Sequence, residues 1–425
     1  MKILISLVGE QPTPNLIPLF DKRALEGPKE ERWRAVHFLA SNATRETGRN
    51  LLKALKQDKT TEHLVSAGLD ELDRDPVPGD LLETVEAWSL KNASNNVQQA
   101  INKVGEKYPD DDIVVNFTGG TKIMSLAAYQ VAIERGLAMV YVNTECDELL
   151  HFDVKDKADK SSIFTVQIPI ETQLRATGMQ LKQNPDKPLV HPEDVPQELA
   201  QFVNWLVENY RNVYELCLKK IIDDVKQKAK ANNVKQWQVE IQLPTQTPKI
   251  GVEGVKRLEA LKLVVWQEAD RQVRIMDDKA WAFLSGGWVE VYALVKLAES
   301  EYFDEVVGNL EVDGFRGEID VAVTRNGRLG LVECKTRGGH GEGATFMAAK
   351  MRLHESIFGG VYAEAVFALA ARDNLQDVVD AASQYRVKNI VCGEGAKAND
   401  PDTGKELEIG GLKELAEVAR KMLGG

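Results

Sequence analysis

The dipeptide Asn326-Gly327, set between two runs of alternating apolar residues, constrains this chain more than any other feature. Asn-Gly readily supplies the two left-handed residues of a tight hairpin turn, so the flanking segments are expected to pair as antiparallel strands. The stretch Gly314–Arg337 reads GFRGEIDVAVTRNGRLGLVECKTR. Counting outward from the turn sets Asp320 opposite Glu333 and Glu318 opposite Lys335. Strand side chains alternate faces, which puts these four on one side and Ile319, Val321, Val323, Val332 and Cys334 on the other.

Opposed like charges destabilise a sheet. Carboxylates this close share a proton, pair with a cation, or hold a metal. The plain alternative is an exposed face with a Glu318–Lys335 salt bridge. The second strand, Leu-Gly-Leu-Val-Glu-Cys-Lys, is apolar enough to be buried on both faces, where charges are costly without a purpose. That favours a metal site.

Asp, about a dozen residues, then Glu-x-Lys resembles the PD-(D/E)XK nucleases, the restriction-endonuclease-like fold. The resemblance implies that Asp320 and Glu333 hold a divalent metal, Mg²⁺ or Mn²⁺, and that Lys335 is the catalytic amine. It also implies an acidic residue on a preceding helix. Gly-Gly-Trp-Val-Glu-Val-Tyr fits that position, with Glu290 as a further catalytic and metal-binding carboxylate and Glu318 as a companion in the same patch. Taken alone, Glu290 also fits an ordinary solvated helix face.

The net charge of −12 is wrong for a protein that binds nucleic acid over its whole surface. The balance is different near the hairpin. Between Gly314 and Arg352 seven basic residues (Arg316, Arg325, Arg328, Lys335, Arg337, Lys350, Arg352) stand against four acids (Glu318, Asp320, Glu333, Glu342). A basic rim around an acidic metal centre suits a phosphodiester substrate. A length of 425 residues calls for two or three domains. No apolar run is long enough for a membrane span, and MKILISLVG reads as a first strand rather than a signal peptide. The four cysteines (Cys146, Cys217, Cys334, Cys392) form no CxxC pair, which points to a reducing, cytoplasmic setting without structural zinc.

The first 160 residues alternate strand and helix patterns, as in a parallel doubly wound sheet. Strands are expected at Lys2–Val8, Ala35–Ala40, His63–Ala67, Ile113–Asn116 and Ala138–Asn143, and helices from Leu16, through Leu51 and Leu55, from about Gly79 to Val104, and from Lys122 to Arg135. Val-Asn-Phe-Thr-Gly-Gly-Thr-Lys-Ile-Met, residues 115–124, closes one strand and opens the next helix. Its glycines admit a ligand to the backbone, the helix N-terminus suits an anion, and Thr118, Thr121 and Lys122 add hydroxyls and a cation. The segment is neither GxGxxG nor a Walker loop, so no nicotinamide cofactor or triphosphatase is expected.

This segment, together with Leu-Val-Gly-Glu-Gln-Pro-Thr-Pro-Asn after the first strand, resembles the CRISPR-associated Rossmann-fold (CARF) sensor domain. CARF followed by PD-(D/E)XK is the layout of the CARF nucleases of type III CRISPR antiviral systems. That resemblance implies a homodimer with cyclic oligoadenylate, commonly cyclic tetra-adenylate, across its axis as activator. Thr118, Gly119, Gly120, Thr121 and Lys122 would contact it, with Gly9, Glu10, Gln11 and Pro14. Ser41, Thr44, Asn143 and Thr144 end neighbouring strands and are further candidates, although Ser41 and Thr44 also suit plain helix caps.

The expected division is a CARF domain over residues 1–160, a connector and helical linker over 161–245, and a mixed-sheet nuclease domain over 246–425. Four prolines between Gln183 and Pro196 mark the connector, and Phe202, Leu206, Tyr210, Tyr214, Leu216 and Ile221 form the stripe of a linker helix. Lys350 and Arg352, on a helix expected over Ala344–Ile357, are candidate substrate-backbone contacts. The expected activity is metal-dependent cleavage of RNA or DNA under control of the cyclic ligand. The alternatives are a regulator that binds nucleic acid without cutting it, and a ring nuclease that degrades the activator.

Overall fold

The computed structural model describes residues 1–65, 82–154, 158–182, 184–185, 187–313, 317–358 and 362–424. The N-terminal domain is built on a seven-stranded sheet of β1 (Lys2–Val8), β2 (Trp33–Ala40), β3 (Leu82–Thr84), β4 (Asp112–Asn116), β5 (Ala138–Asn143), β6 (Glu148–Asp153) and β7 (Ala158–Ile163), ordered β3-β2-β1-β4-β5-β6-β7. The first five strands are parallel, and β6 and β7 extend the edge as antiparallel hairpins. The helix Arg45–Gln57 packs on one face, and the helices Leu90–Lys107 and Lys122–Arg135 on the other. Burial on both faces explains why β1 is apolar from Ile3 to Val8 apart from the buried Ser6. The strand order reverses between β1 and β4, and the crevice at their carboxyl ends is where open α/β sheets take ligands.

Several local expectations shift. The strand expected from His63 is a 3₁₀ turn at Glu62–Leu64, and its last residues lie outside the described ones. The third strand is Leu82–Thr84 instead, inside the segment expected to be helical. The helix begins only at Leu90, where the Ser89 side chain accepts the Asn92 N–H; Gly79 lies outside the described residues.

The boundary expected at residue 160 also moves. Phe164, Val166 and Ile168 are fully buried in the N-terminal core, and the helix Ile170–Ala176 packs against Arg45–Gln57. The boundary at 245/246 is corrected for a different reason. β8 (Glu240–Gln242), β9 (Val264–Gln267) and β10 (Gln272–Ile275) form one sheet ordered β8-β10-β9, so strand pairing crosses it. A single apolar core runs from Phe202 to Leu423, which joins the helical region to the C-terminal domain. Of the expected stripe, Leu216 alone is exposed, at 50%. It lies two residues from Tyr214, about 200° around a helix.

The C-terminal sheet is β11 (Glu305–Glu311), β12 (Glu318–Arg325), β13 (Arg328–Lys335), β14 (Ala363–Leu369) and β15 (Asn389–Cys392), in that order. β11, β12 and β13 are antiparallel, whereas β13, β14 and β15 are parallel. The helix Trp288–Glu299 covers one face, and Glu342–Phe358 and Leu375–Tyr385 cover the other. Asn326 and Gly327 have φ of 48° and 75°, as a type I′ turn requires, and the register Arg325–Arg328 through Val321–Val332 is the one the turn predicts. The turn rests on the N-terminal domain. The Asn326 amide nitrogen donates to Asp147 Oδ2 at 3.3 Å, and Gly327 lies against Thr13, Ile17 and Ile168.

Candidate functional site

The ladder between β12 and β13 ends at Val321–Val332, three residues short of the full strands. Beyond it the Asp320 side chain replaces a main-chain partner. Its Oδ2 accepts the Cys334 N–H at 2.6 Å and the Lys335 ammonium at 3.1 Å. Ile319 accordingly packs with the core opposite that of Val321 and Val323, a correction to strict alternation. The Lys335 Nζ also lies 2.9 Å from Glu333 Oε1. Asp320 and Glu333 are 8% and 2% exposed, so two buried carboxylates share one cation.

Lys350, from the helix Glu342–Phe358, closes the other side. Its Nζ lies 3.0 Å and 3.1 Å from the two Glu333 oxygens and 3.1 Å from the Glu318 carbonyl. Glu318 does not face Lys335. Its carboxylate pairs with Lys187 of the connector at 2.5 Å, so it leaves the expected patch. Burial, followed by the charge of Glu333, raises the Asp320 pKa. Burial pulls the Lys335 amine down, but Asp320 and Glu333 outweigh it and hold the amine above its ordinary range.

Glu290 stands on the helix covering the opposite face of the sheet from Lys350. Burial, followed by the charge of Asp320, raises its pKa to about 7. Among the described residues no three His, Cys, Asp or Glu side chains gather closely enough to form a metal-binding set, so the expected trio of Asp320, Glu333 and Glu290 is corrected to a pair with Glu290 alongside. Two carboxylates already bridged by one cation still fit a hard divalent ion, since Mg²⁺ takes one or two carboxylates and completes its shell with water and phosphate oxygens. The basic rim is partly self-paired. Arg337 meets Asp223 at 2.6 Å, Arg352 meets Glu355 at 2.9 Å, and Arg316 lies outside the described residues. His340 pairs with Asp377 and is mostly exposed.

In the N-terminal domain a cavity of about 1100 Å³ opens at the carboxyl edge of the sheet. It gathers Gly9, Glu10, Gln11 and Pro14 from the first loop, Thr118–Thr121 from the Gly-Gly turn, and Ser41, Thr44, Asn143 and Thr144. Lys122 is exposed and does not line it. A Cβ on Gly119 would lie 2.1 Å from the Leu7 carbonyl oxygen, so only glycine lets the turn sit against β1. Gly120 has φ of 79°.

The threonine hydroxyls already have intramolecular partners. Thr118 Oγ1 donates to Asn116 Oδ1 at 2.7 Å and accepts the Val142 N–H at 2.7 Å. Thr121 Oγ1 donates to the Ala87 carbonyl at 3.1 Å and accepts the Met124 N–H as a helix cap. Ser41 and Thr44 bond to each other at 3.1 Å instead of capping the following helix. These four side chains therefore shape the cavity wall more than they offer free donors.

Two family models match this chain. Residues 78–171 match a Card1 CARF domain and residues 277–400 match a Card1-like endonuclease domain. The chain belongs to the CARF-domain nucleases. The endonuclease match spans Glu290, Asp320, Glu333, Lys335 and Lys350, and the CARF match spans the Gly-Gly turn. No curated protein matches the chain. Among solved structures, protein VC1899 from Vibrio cholerae aligns with a TM-score of 0.64 and 16% identity, over 99% of this chain and 97% of that one. Can2 from Sulfobacillus thermosulfidooxidans, in complex with cyclic tetra-adenylate, gives 0.65 and 18%, over 100% and 97%. A type III CRISPR defence DNA nuclease activated by cyclic oligoadenylate gives 0.53 and 14%, over 99% of this chain but 51% of that one, so this chain spans about half its length. At these identities the likeness concerns the fold.

Several residues around the CARF cavity carry no signal in a linear reading of the chain. Trp88 and Tyr141 are exposed aromatics on its wall, the first at 83%. Tyr362 reaches it from the endonuclease domain. In the endonuclease site Lys350 was visible only as a basic residue on a helix, and its bonds to Glu333 depend on how that helix crosses β13.

Proposed function

We propose that this CARF nuclease is a homodimer activated by cyclic tetra-adenylate that cleaves RNA or DNA phosphodiester bonds with Mg²⁺ or Mn²⁺ in type III CRISPR defence. The observation that carries the reading is the β12–β13 hairpin. One end holds Asp320, Glu333 and Lys335, and the other end is seated on the CARF domain beside its cavity. A ligand that alters how the two domains sit would act on the strands that carry the acidic pair, through its difference in affinity for the two arrangements.

Asp320 and Glu333 would hold the divalent ion, and Lys335 lies within reach of both. When bound, such an ion supplies positive charge for the phosphoryl oxygens and lowers the pKa of an attacking water. Lys335 stays protonated near neutral pH, so its part is to orient the nucleophile and stabilise phosphate charge rather than to accept a proton. Lys350 holds Glu333 in place from the helix side.

The cyclic ligand's support is the cavity and the cyclic tetra-adenylate in the structurally similar Can2. The homodimer is supported by an apolar row on the helix Lys122–Arg135, where Leu126, Tyr129 and Ile133 are 57%, 42% and 41% exposed. A two-fold partner would cover that row and set two cavities about one axis. The test is cleavage of labelled RNA and single-stranded DNA with Mn²⁺, with and without cyclic tetra-adenylate. The reading expects cutting that rises with the ligand and disappears with EDTA. Equal cutting in both arms would remove the regulation, and cutting that persists in EDTA would remove the metal.

A further inference from the structure

Among the described residues, every side chain lining the CARF cavity comes from the first 145 residues except one: Tyr362. It lies outside the CARF match, at the entrance to β14 of the endonuclease sheet. Its half-buried ring sits near Tyr141, and its hydroxyl lies beside the Thr144 side chain. Arg328 of the same domain donates to the Thr144 carbonyl while pairing with Asp147 at 2.8 Å. The segment after β5 is thus held by the first residue of β13 and flanked by the residue preceding β14.

We propose that Tyr362 is a contact for the cyclic activator supplied by the endonuclease domain, so that the pocket is complete only when the two domains are docked. The inference rests on the sensor reading above. Tyr362, Tyr141 and Trp88 give the cavity wall aromatic faces, and stacking on such faces is how proteins hold unpaired nucleobases.

The position explains why occupancy would matter at the distant site. Leu329 pairs with Ala363, the residue after Tyr362, and the same register pairs Glu333 with Phe367 and Lys335 with Leu369. β14 therefore lies alongside the full length of the strand that carries the acidic pair. A contact from the CARF domain alone would bind equally well however the domains sat, and so could not shift them. A contact from Tyr362 exists only in the docked arrangement, which gives the ligand the differential affinity that a shift requires.

The test uses the full-length wild type, Tyr362→Ala and Tyr362→Phe. Cyclic tetra-adenylate affinity is measured by calorimetry, and the cleavage ratio with and without saturating ligand is measured in Mn²⁺. Tyr362→Ala is expected to bind roughly tenfold more weakly and to show a reduced ratio even at saturation. Tyr362→Phe keeps the ring and loses only the hydroxyl beside Thr144, so it should fall between the two. Wild-type affinity and wild-type ratio in both variants would overturn the inference. Weaker binding with an undiminished ratio at saturation would keep the contact and overturn its part in transmission. Should the alanine variant fail to fold, the phenylalanine variant decides alone, its unchanged ratio and affinity counting against the proposal. A wild-type chain that binds no cyclic tetra-adenylate would overturn the sensor reading itself, an outcome distinct from all of these.

Discussion

Replacing Glu290 with glutamine should stabilise the metal-free protein while disabling it. The Glu290 carboxyl has its pKa raised from 4.5 to about 7, chiefly by burial and then by the charge of Asp320. A raised folded-state value means that the protonated form suits the fold. Its favourable contribution is complete below about pH 4.5 and is lost as pH rises toward and through 7. The gap corresponds to about 3 kcal/mol, reduced to about 2 kcal/mol for the water that reaches a partly exposed side chain. Glutamine has nearly the same shape and no charge at any pH. Glu290→Gln should therefore gain about 2 kcal/mol over wild type at pH 8 and only about 0.5 kcal/mol at pH 5. The assay is urea unfolding in EDTA at both pH values, followed by tryptophan fluorescence, since Trp288 is buried two residues away. Mn²⁺-dependent cleavage by the variant should fall by about two orders of magnitude or more. A loss of stability at pH 8, or an equal gain at both pH values, would refute the reasoning, because the penalty would then not come from ionisation.

Cleavage by the wild type should rise between about pH 6 and 8 as Glu290 ionises, and a flat profile would count against its role at the site. Asp320→Ala strips the Cys334 N–H of its partner, so it should abolish cutting and cost about 1–3 kcal/mol in unfolding, whereas Lys335→Ala should abolish cutting at equal ligand affinity. Lys350→Met leaves one side of the buried Glu333 carboxylate without its ammonium, and cleavage should drop at least about tenfold. Gly119→Ala forces a methyl against the Leu7 carbonyl, and calorimetry should show loss of cyclic tetra-adenylate binding together with a lower melting temperature of the CARF domain.

Local rules set what could be read from the chain without coordinates. Asn326-Gly327 fixed a turn whose register depends only on counting, and the ladder follows it from Arg325–Arg328 to Val321–Val332. The Gly-Gly turn was legible because positive φ and close backbone approach leave few other residues possible there. The strand at Leu82–Thr84 was not, since three residues carry too little periodicity to stand out from the helix that follows. Nor was the frayed end of the hairpin, where a side chain displaced a main-chain bond.

Pattern alone therefore determined the turn and the strand–helix alternation of the first domain, because each depends on neighbours a few positions away. Only the tertiary structure decided that Glu318 pairs with Lys187, that Lys350 grips Glu333, that the threonine hydroxyls already have partners, and that Tyr362 reaches the other domain's cavity. Those contacts join residues that are distant in the chain or on different elements, and their energies depend on helix crossings and domain docking that no short stretch encodes.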